Sequence, residues 1–251
     1  MKERPQPVQT GCSRIASSGV RRIPVIRVYR RSYMKRCAWI VAIVVALLTD
    51  RGSMAAPASS DTRADRPLSI VLAIDTGSSI HLDMEHVREG LRQFVNQIEP
   101  NEQVEICSFG NRLQCAPFTR AQQVMFEDIN ALSPHDDARV FDSLDGAIDE
   151  VRSVAGRRVV IAFAMKPDWT WSTSPKRVLK DAQTYGVTVY AVGLDVRYYD
   201  GDDFVDGRPD PELEHLVRKS GGTFFEVTSS QGIAGAFERL AKQLHEATQT
   251  P

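Results

Sequence analysis

Five stretches of this chain read as strands, several of them near-continuous apolar runs bounded by polar or turn residues: "LSIVLAID" (68–75), "QVEICSF" (103–109), "RVVIAFAM" (158–165), "VTVYAVGL" (187–194) and "TFFEV" (223–227). A strand that reads apolar at every position, not at alternate ones, has both faces covered. Between the runs lie residues spaced for helices. Met84, Val87, Leu91, Val95 and Ile98 fall at steps of three and four, as do Val140, Leu144, Ala147 and Val151, and then Ile233, Phe237, Leu240 and Leu244. Asp210-Pro211 opens a further helix and Gly221 ends it. Strands alternating with helices predict an α/β fold: a doubly wound, Rossmann-like, mostly parallel six-stranded sheet with helices on both faces. The sixth strand, "LQCAPF" (113–118), follows the turn in "SFGNRL", which makes it an antiparallel edge strand.

Ligands of such sheets bind beyond the carboxyl ends of the strands, where the strand order reverses. Asp75 ends the first strand and is followed by the small-residue loop "DTGSSIHL". That loop has one glycine and no lysine, so it matches neither phosphate-cradling pattern, G-x-G-x-x-G or G-x-x-x-x-G-K-[ST].

The N-terminal fifth has a different composition. Residues 1–36 carry ten Lys or Arg and one acid, and the uncharged run Cys37–Thr49 follows, then "DRGSMAAPASSDTRADRP". This is the pattern of an export signal: basic region, short apolar region, small residues at the cleavage site. A spanning helix needs roughly 20 apolar residues, and the run has 13 before Asp50 and Arg51. Cleavage is expected after Ala55 or Ala58. "YRRSYMK" (29–35) resembles a twin-arginine signal, while the segment from Met34, a second candidate start, is a complete Sec-type signal. The expected organisation is a signal over 1–58, a linker over 59–67 and one domain over 68–248, exported to the periplasm or secreted by either route, with no stable membrane anchor.

Removing residues 1–58 takes away eleven of the 31 basic and two of the 32 acidic residues and leaves a formal charge of −10. Such a domain repels nucleic acid and anionic membranes.

The segments also carry a resemblance. "IVLAIDTGSS", "NEQVEICSFGNRLQCAPFT", "ARVFDSLDGAI", "GVTVYAVGL" and "SGGTFFEV", in that order, resemble the von Willebrand factor type A (vWA) domain, in particular its bacterial VWFA-related group, over residues 66–246. The resemblance implies a protein-binding module whose strand-end loops form a metal-ion-dependent adhesion site: Mg²⁺ or Mn²⁺ held by D-x-S-x-S, a threonine and an aspartate. In this sequence Asp75 and Ser79 match. Gly77 stands at the middle serine, with Ser78 displaced by one; "DDARVFDSL" puts Ala138 at the threonine, and "IAFAMKPD" puts Met165 at the aspartate. Ala and Met offer no hard oxygen, so the expected site is degenerate and the cofactor expectation is none, Mg²⁺ or Mn²⁺ being the alternative. Asp136, Asp137 and Asp168 lie close enough in sequence to supply oxygens for that alternative.

Trp169 and Trp171 follow the fourth strand directly, so with Gly77, Ser78 and Met165 they form the expected binding rim for another protein; the alternative has the two rings covering the core. Cys107 and Cys115 stand opposite each other if the hairpin loop is Gly110–Arg112, which favours a disulfide in an oxidising compartment; a two-residue loop sets Cys107 against Gln114. Six aspartates in "DVRYYDGDDFVDGRPD" (195–210) do not have EF-hand spacing and read as a solvated acidic loop. The five histidines form no H-x-x-x-H pair, and a hydrolase built from Asp75, Ser79 and His81 lacks a G-x-S-x-G elbow. The chain reads as a non-enzyme.

Overall fold

In the computed structural model, residues 67–134, 138–165, 172–199 and 202–249 are described, all within the compact unit Ala56–Pro251. The six-stranded sheet has the order β3-β2-β1-β4-β5-β8. Its strands are β1 (Leu68–Asp75), β2 (Gln103–Phe109), β3 (Leu113–Cys115), β4 (Arg157–Ala164), β5 (Val187–Leu194) and β8 (Phe224–Val227). All neighbours are parallel except β2 and β3.

The apolar runs are explained by two cores, one on each face. Ile70, Leu72 and Ile74 of β1 join the cluster containing Val87 and Leu91 of α1 (Met84–Val95), Met125 and Ile129 of α2 (Gln122–Ala131), and Phe237 and Leu240 of α6 (Gly232–Gln249). Val71 and Ala73, pointing the other way, join Leu144 and Ala147 of α3 (Val140–Val151), Val178 and Ala182 of α4 (Pro175–Tyr185), and Leu213 and Leu216 of α5 (Pro211–Lys219). On the first face α1 and α6 approach closely. A Cβ on Gly90 would lie 2.8 Å from Phe237 Cδ2, so this crossing requires glycine.

Local signals set the helix ends. Asp210 accepts the Glu212 N–H at 2.8 Å ahead of Pro211, and Ser174 accepts from Arg177 N–H ahead of Pro175; α4 ends on Gly186 in the left-handed region, φ 61°. None of the described helices is long and apolar enough to cross a membrane.

Three sequence expectations change. Strand β3 stops at Cys115, not Phe118: beyond it the Ala116 N–H still donates to the Ile106 carbonyl at 3.0 Å, and the next bridge comes where Thr119 and Val104 exchange hydrogen bonds at 2.9 Å. Helix α1 stops at Val95, and Ile98 packs on the core from beyond it. The segment read as a solvated acidic loop contains an antiparallel hairpin, β6 (Arg197–Tyr199) with β7 (Phe204–Asp206). Its aspartates are partly engaged at home: Asp195 pairs with Arg208 at 3.5 Å, Asp203 accepts the Phe204 N–H, and Asp210 caps α5.

Candidate functional site

Strand β1 lies between β2 and β4, and the chain leaves it toward β2 on one side while β4 and β5 extend the sheet on the other. The strand order therefore reverses at β1, and the crevice at its carboxyl end is floored by Asp75. Its side chain is fully buried. One carboxylate oxygen accepts the Gly77 N–H at 2.8 Å and the other accepts the Met165 N–H at 3.3 Å. Asp75 thus ties its own loop to the end of β4. Thr76 ties the same loop to β2, donating from both its N–H (2.9 Å) and its hydroxyl (3.1 Å) to the Phe109 carbonyl.

After Thr76 the chain makes a short 3₁₀ turn, Ser78–Ile80, that leads to α1. Ser78 is exposed and Ser79 is buried, with its hydroxyl lacking a hydrogen-bond partner among the described residues. No described base therefore activates Ser79, which leaves the Asp75, Ser79, His81 arrangement without the bond a nucleophile needs. Asp83, just before α1, accepts from the Ser230 hydroxyl ahead of α6 and closes that side of the crevice.

Gly77 and Ala138 meet at the centre. A Cβ on Gly77 would lie 3.0 Å from Asp75 Oδ1, 3.2 Å from Ala138 N and 3.3 Å from Ala138 Cβ. The loop before α3 therefore occupies the space that a longer residue at 77 would need. Met165 is a correction to the expected rim. Its side chain is fully buried and belongs to the core beside β4, because residues two apart on a strand share a face and Phe163 and Met165 both point inward. Of the five positions aligned with the adhesion-site ligands, Asp75 and Ser79 carry side-chain oxygens and Gly77, Ala138 and Met165 carry none. Asp136, Asp137, Asp168, Trp169 and Trp171 lie outside the described residues.

One supporting residue was not anticipated. Asp142, in the first turn of α3, accepts Ser172 N–H at 3.0 Å and Thr173 N–H at 2.6 Å. It thereby holds the C-terminal stem of the segment that carries Trp169 and Trp171. Burial raises its pKa, but these hydrogen bonds, with Arg139 beside it, outweigh burial and hold the carboxyl below the ordinary aspartate range. An acid in a helix's first turn is the signal that could have found it. Also unanticipated are two exposed apolar side chains in the segments that follow β1 and β5. Leu82 follows the 3₁₀ turn and is 80 % exposed, and Phe204 of β7 is 56 % exposed, its partner strand β6 packing against that turn.

The sequence profile of the von Willebrand factor type A domain matches residues 69–239. The chain belongs to this family. No match emerges from comparison with curated protein sequences. Solved structures agree on the fold. An aerotolerance-related membrane protein of Bacteroides fragilis superposes with a TM-score of 0.57 at 13 % identity, covering 70 % of this chain and 99 % of that one. The vWF domain of the type V pili tip protein Mfa5 of Porphyromonas gingivalis gives 0.55 at 12 %, covering 74 % and 97 %. Proximal thread matrix protein 1 of the mussel byssus, with a zinc-occupied adhesion motif, gives 0.60 at 16 %, covering 73 % of this chain and 47 % of that one. At these identities the likeness establishes the vWA fold and no more.

Proposed function

We propose that this vWA domain is an exported, non-enzymatic interaction module that recognises another protein through the carboxyl-end rim of its sheet without a metal ion. The observation that carries the reading is the engagement of Asp75: both its oxygens take backbone N–H groups, while Gly77, Ala138 and Met165 offer no side-chain oxygen around it. Mg²⁺ asks for a near-octahedral set of hard oxygens, and these residues do not fit one. The carboxylate instead holds two loops in place. Recognition then falls to the apolar groups of the rim, Leu82 and Phe204, with Trp169 and Trp171 of the neighbouring segment. The basic, then apolar, N-terminus supports export, and the acidic character of residues 59–251 supports a protein partner over nucleic acid.

A second reading is favoured by one atom. The buried Ser79 hydroxyl, without a hydrogen-bond partner among the described residues, suits a cation held weakly with Asp75. Isothermal titration of the protein with Mg²⁺ and Mn²⁺ separates the two. No heat of binding at millimolar metal, and a melting temperature unmoved by EDTA, is expected. A melting temperature that rises with Mg²⁺ and loses the rise in Asp75→Ala refutes the metal-independent reading, since a ligand selective for the native state must stabilise it.

A further inference from the structure

The β2–β3 hairpin carries a second cluster that the rim does not use. Cys107 and Cys115 face each other in register with their Cα atoms 4.0 Å apart, and they are joined as a disulfide. Glu105 stands two residues before Cys107 on β2 and so shares its face of the sheet. A carboxylate oxygen of Glu105 and the two sulphurs all lie within 4.8 Å of one another. Glu105 is only 5 % exposed, and its Oε2 has no hydrogen-bond partner among the described residues. A buried acid left unpaired is costly, and the usual remedies are a proton, a cation or a hydrogen bond. The carboxyl is indeed pushed up to about 7, by burial and then by the nearby charge of Glu150.

A cation becomes available as a remedy only when the disulfide opens. Two sulphurs bonded to each other are not thiolate ligands; two thiolates beside a carboxylate are a set that suits Zn²⁺ and its neighbours in softness. Zn–S bonds of about 2.3 Å in tetrahedral geometry place two thiolates about 3.8 Å apart, so the two sulphurs, bonded to each other in the oxidised hairpin, have to separate to hold the ion. Cys115 is half-buried on the edge strand, so an ion and a water for the fourth position can approach from that side.

We propose that the reduced hairpin is a binding site for a Zn²⁺-class cation, with Cys107 and Cys115 thiolates and the Glu105 carboxylate as ligands, and that the disulfide excludes the metal. A dithiol supplies two electrons and two protons: the S–S bond breaks, two thiols form, and the dithiol closes to its own disulfide. The cation then displaces both thiol protons to solvent as two metal–sulphur bonds form. The edge strand is clasped to β2 in both states, covalently in one and through the metal in the other.

The experiment uses the full chain carrying Cys12→Ser and Cys37→Ser, so that Cys107 and Cys115 are its only cysteines, reduced with dithiothreitol, freed of reductant under anaerobic conditions and titrated with Co²⁺. Expected are thiolate-to-Co²⁺ charge-transfer absorption saturating at about one ion per chain, its loss on adding equimolar Zn²⁺, and no such absorption in the oxidised protein. In Glu105→Gln the affinity should fall at least tenfold with the absorption retained at saturation. Absence of the absorption in reduced protein that retains Glu105 and keeps its circular dichroism overturns the proposal, and so does unchanged affinity in Glu105→Gln. If reduction itself unfolds the chain, recovery of the folded spectrum on adding Zn²⁺ supports the site and failure to recover overturns it.

Discussion

Replacing Glu105 by Gln in the oxidised protein should remove the loss of stability that this carboxyl causes as pH rises from 4.5 to about 7. The carboxyl is buried, has one oxygen without a partner among the described residues, and is pushed up to about 7 in the native state against 4.5 for an ordinary glutamate. Below pH 4.5 it is protonated in both native and unfolded chains and contributes no difference. Between 4.5 and 7 the unfolded chain releases the proton that the native state keeps, so stability falls as pH rises; above 7 both are ionised and the loss is complete. At about 1.4 kcal/mol per pH unit the full loss is about 3 kcal/mol. Urea unfolding of wild type and Glu105→Gln at intervals from pH 4.5 to 9 measures it directly. The stability difference between the two proteins should grow by about 3 kcal/mol toward high pH in favour of the variant. Substituting Glu150, the charged neighbour at the end of α3, should shift the midpoint of that growth to lower pH. Curves for wild type and Glu105→Gln that run parallel across the range would refute the reasoning, since they would mean that the carboxyl is solvated or paired in solution.

Asp142→Asn should cost about 1–2 kcal/mol at pH 7 by weakening the charge-assisted bonds to Ser172 and Thr173, and the cost should shrink as pH falls below the ordinary aspartate range and through the depressed native pKa, because the wild type then loses its own charge; thermal unfolding of both proteins at pH 7 and at successively lower pH down to acid denaturation checks both halves. Ala at Leu82 and Phe204 should weaken binding to a captured partner by about 2 kcal/mol or more for the pair while moving the melting temperature little, since both side chains are exposed; surface plasmon resonance of the two variants reads it. Trp169→Ala with Trp171→Ala should act in the same direction, measured the same way. Asp75→Ala should lower stability by about 2 kcal/mol or more, leaving the Gly77 and Met165 N–H groups without their acceptor, and the loss should be the same with EDTA or with Mg²⁺.

The sheet was legible because burial on both faces leaves a direct mark on the sequence. β1, β2 and β5 fall at the residues read for them, β1 and β5 where apolar runs delimit them. The hairpin register was open in the sequence, since loop lengths of two and three residues set different residues against Cys107; the structure has Phe109 paired with Leu113 and hence three residues between. The β6–β7 hairpin was hidden by its charge. Tyr198, Tyr199, Phe204 and Val205 have strand character, but six aspartates around them made the segment read as loop. Helices α2 and α4 escaped the periodicity search because their fully buried side chains are few, Met125 and Ile129 in one, Val178 and Ala182 in the other. Met165 was misplaced for a different reason. The end of a strand locates the backbone at the crevice, but which way a side chain points depends on the parity of the strand, and parity sends Met165 into the core while only its N–H reaches the site.

That division between backbone and side chain explains how a crevice of this fold can be held together without an ion. Three segments converge on it: the loop after β1, the turn before α3 and the end of β4. A metal would join them through side-chain oxygens. Here Asp75 joins the first to the third through two N–H groups, while the second is packed directly against Gly77, its Ala138 atoms within 3.3 Å of where a Cβ would stand. The two arrangements exclude each other locally. Serine at 77 would press on both Asp75 Oδ1 and the Ala138 backbone, and moving Ala138 away to admit it would open the contact that closes the crevice. Restoring the oxygen at 77 therefore costs packing before it gains a ligand, and a cation would have to repay that cost with an incomplete shell.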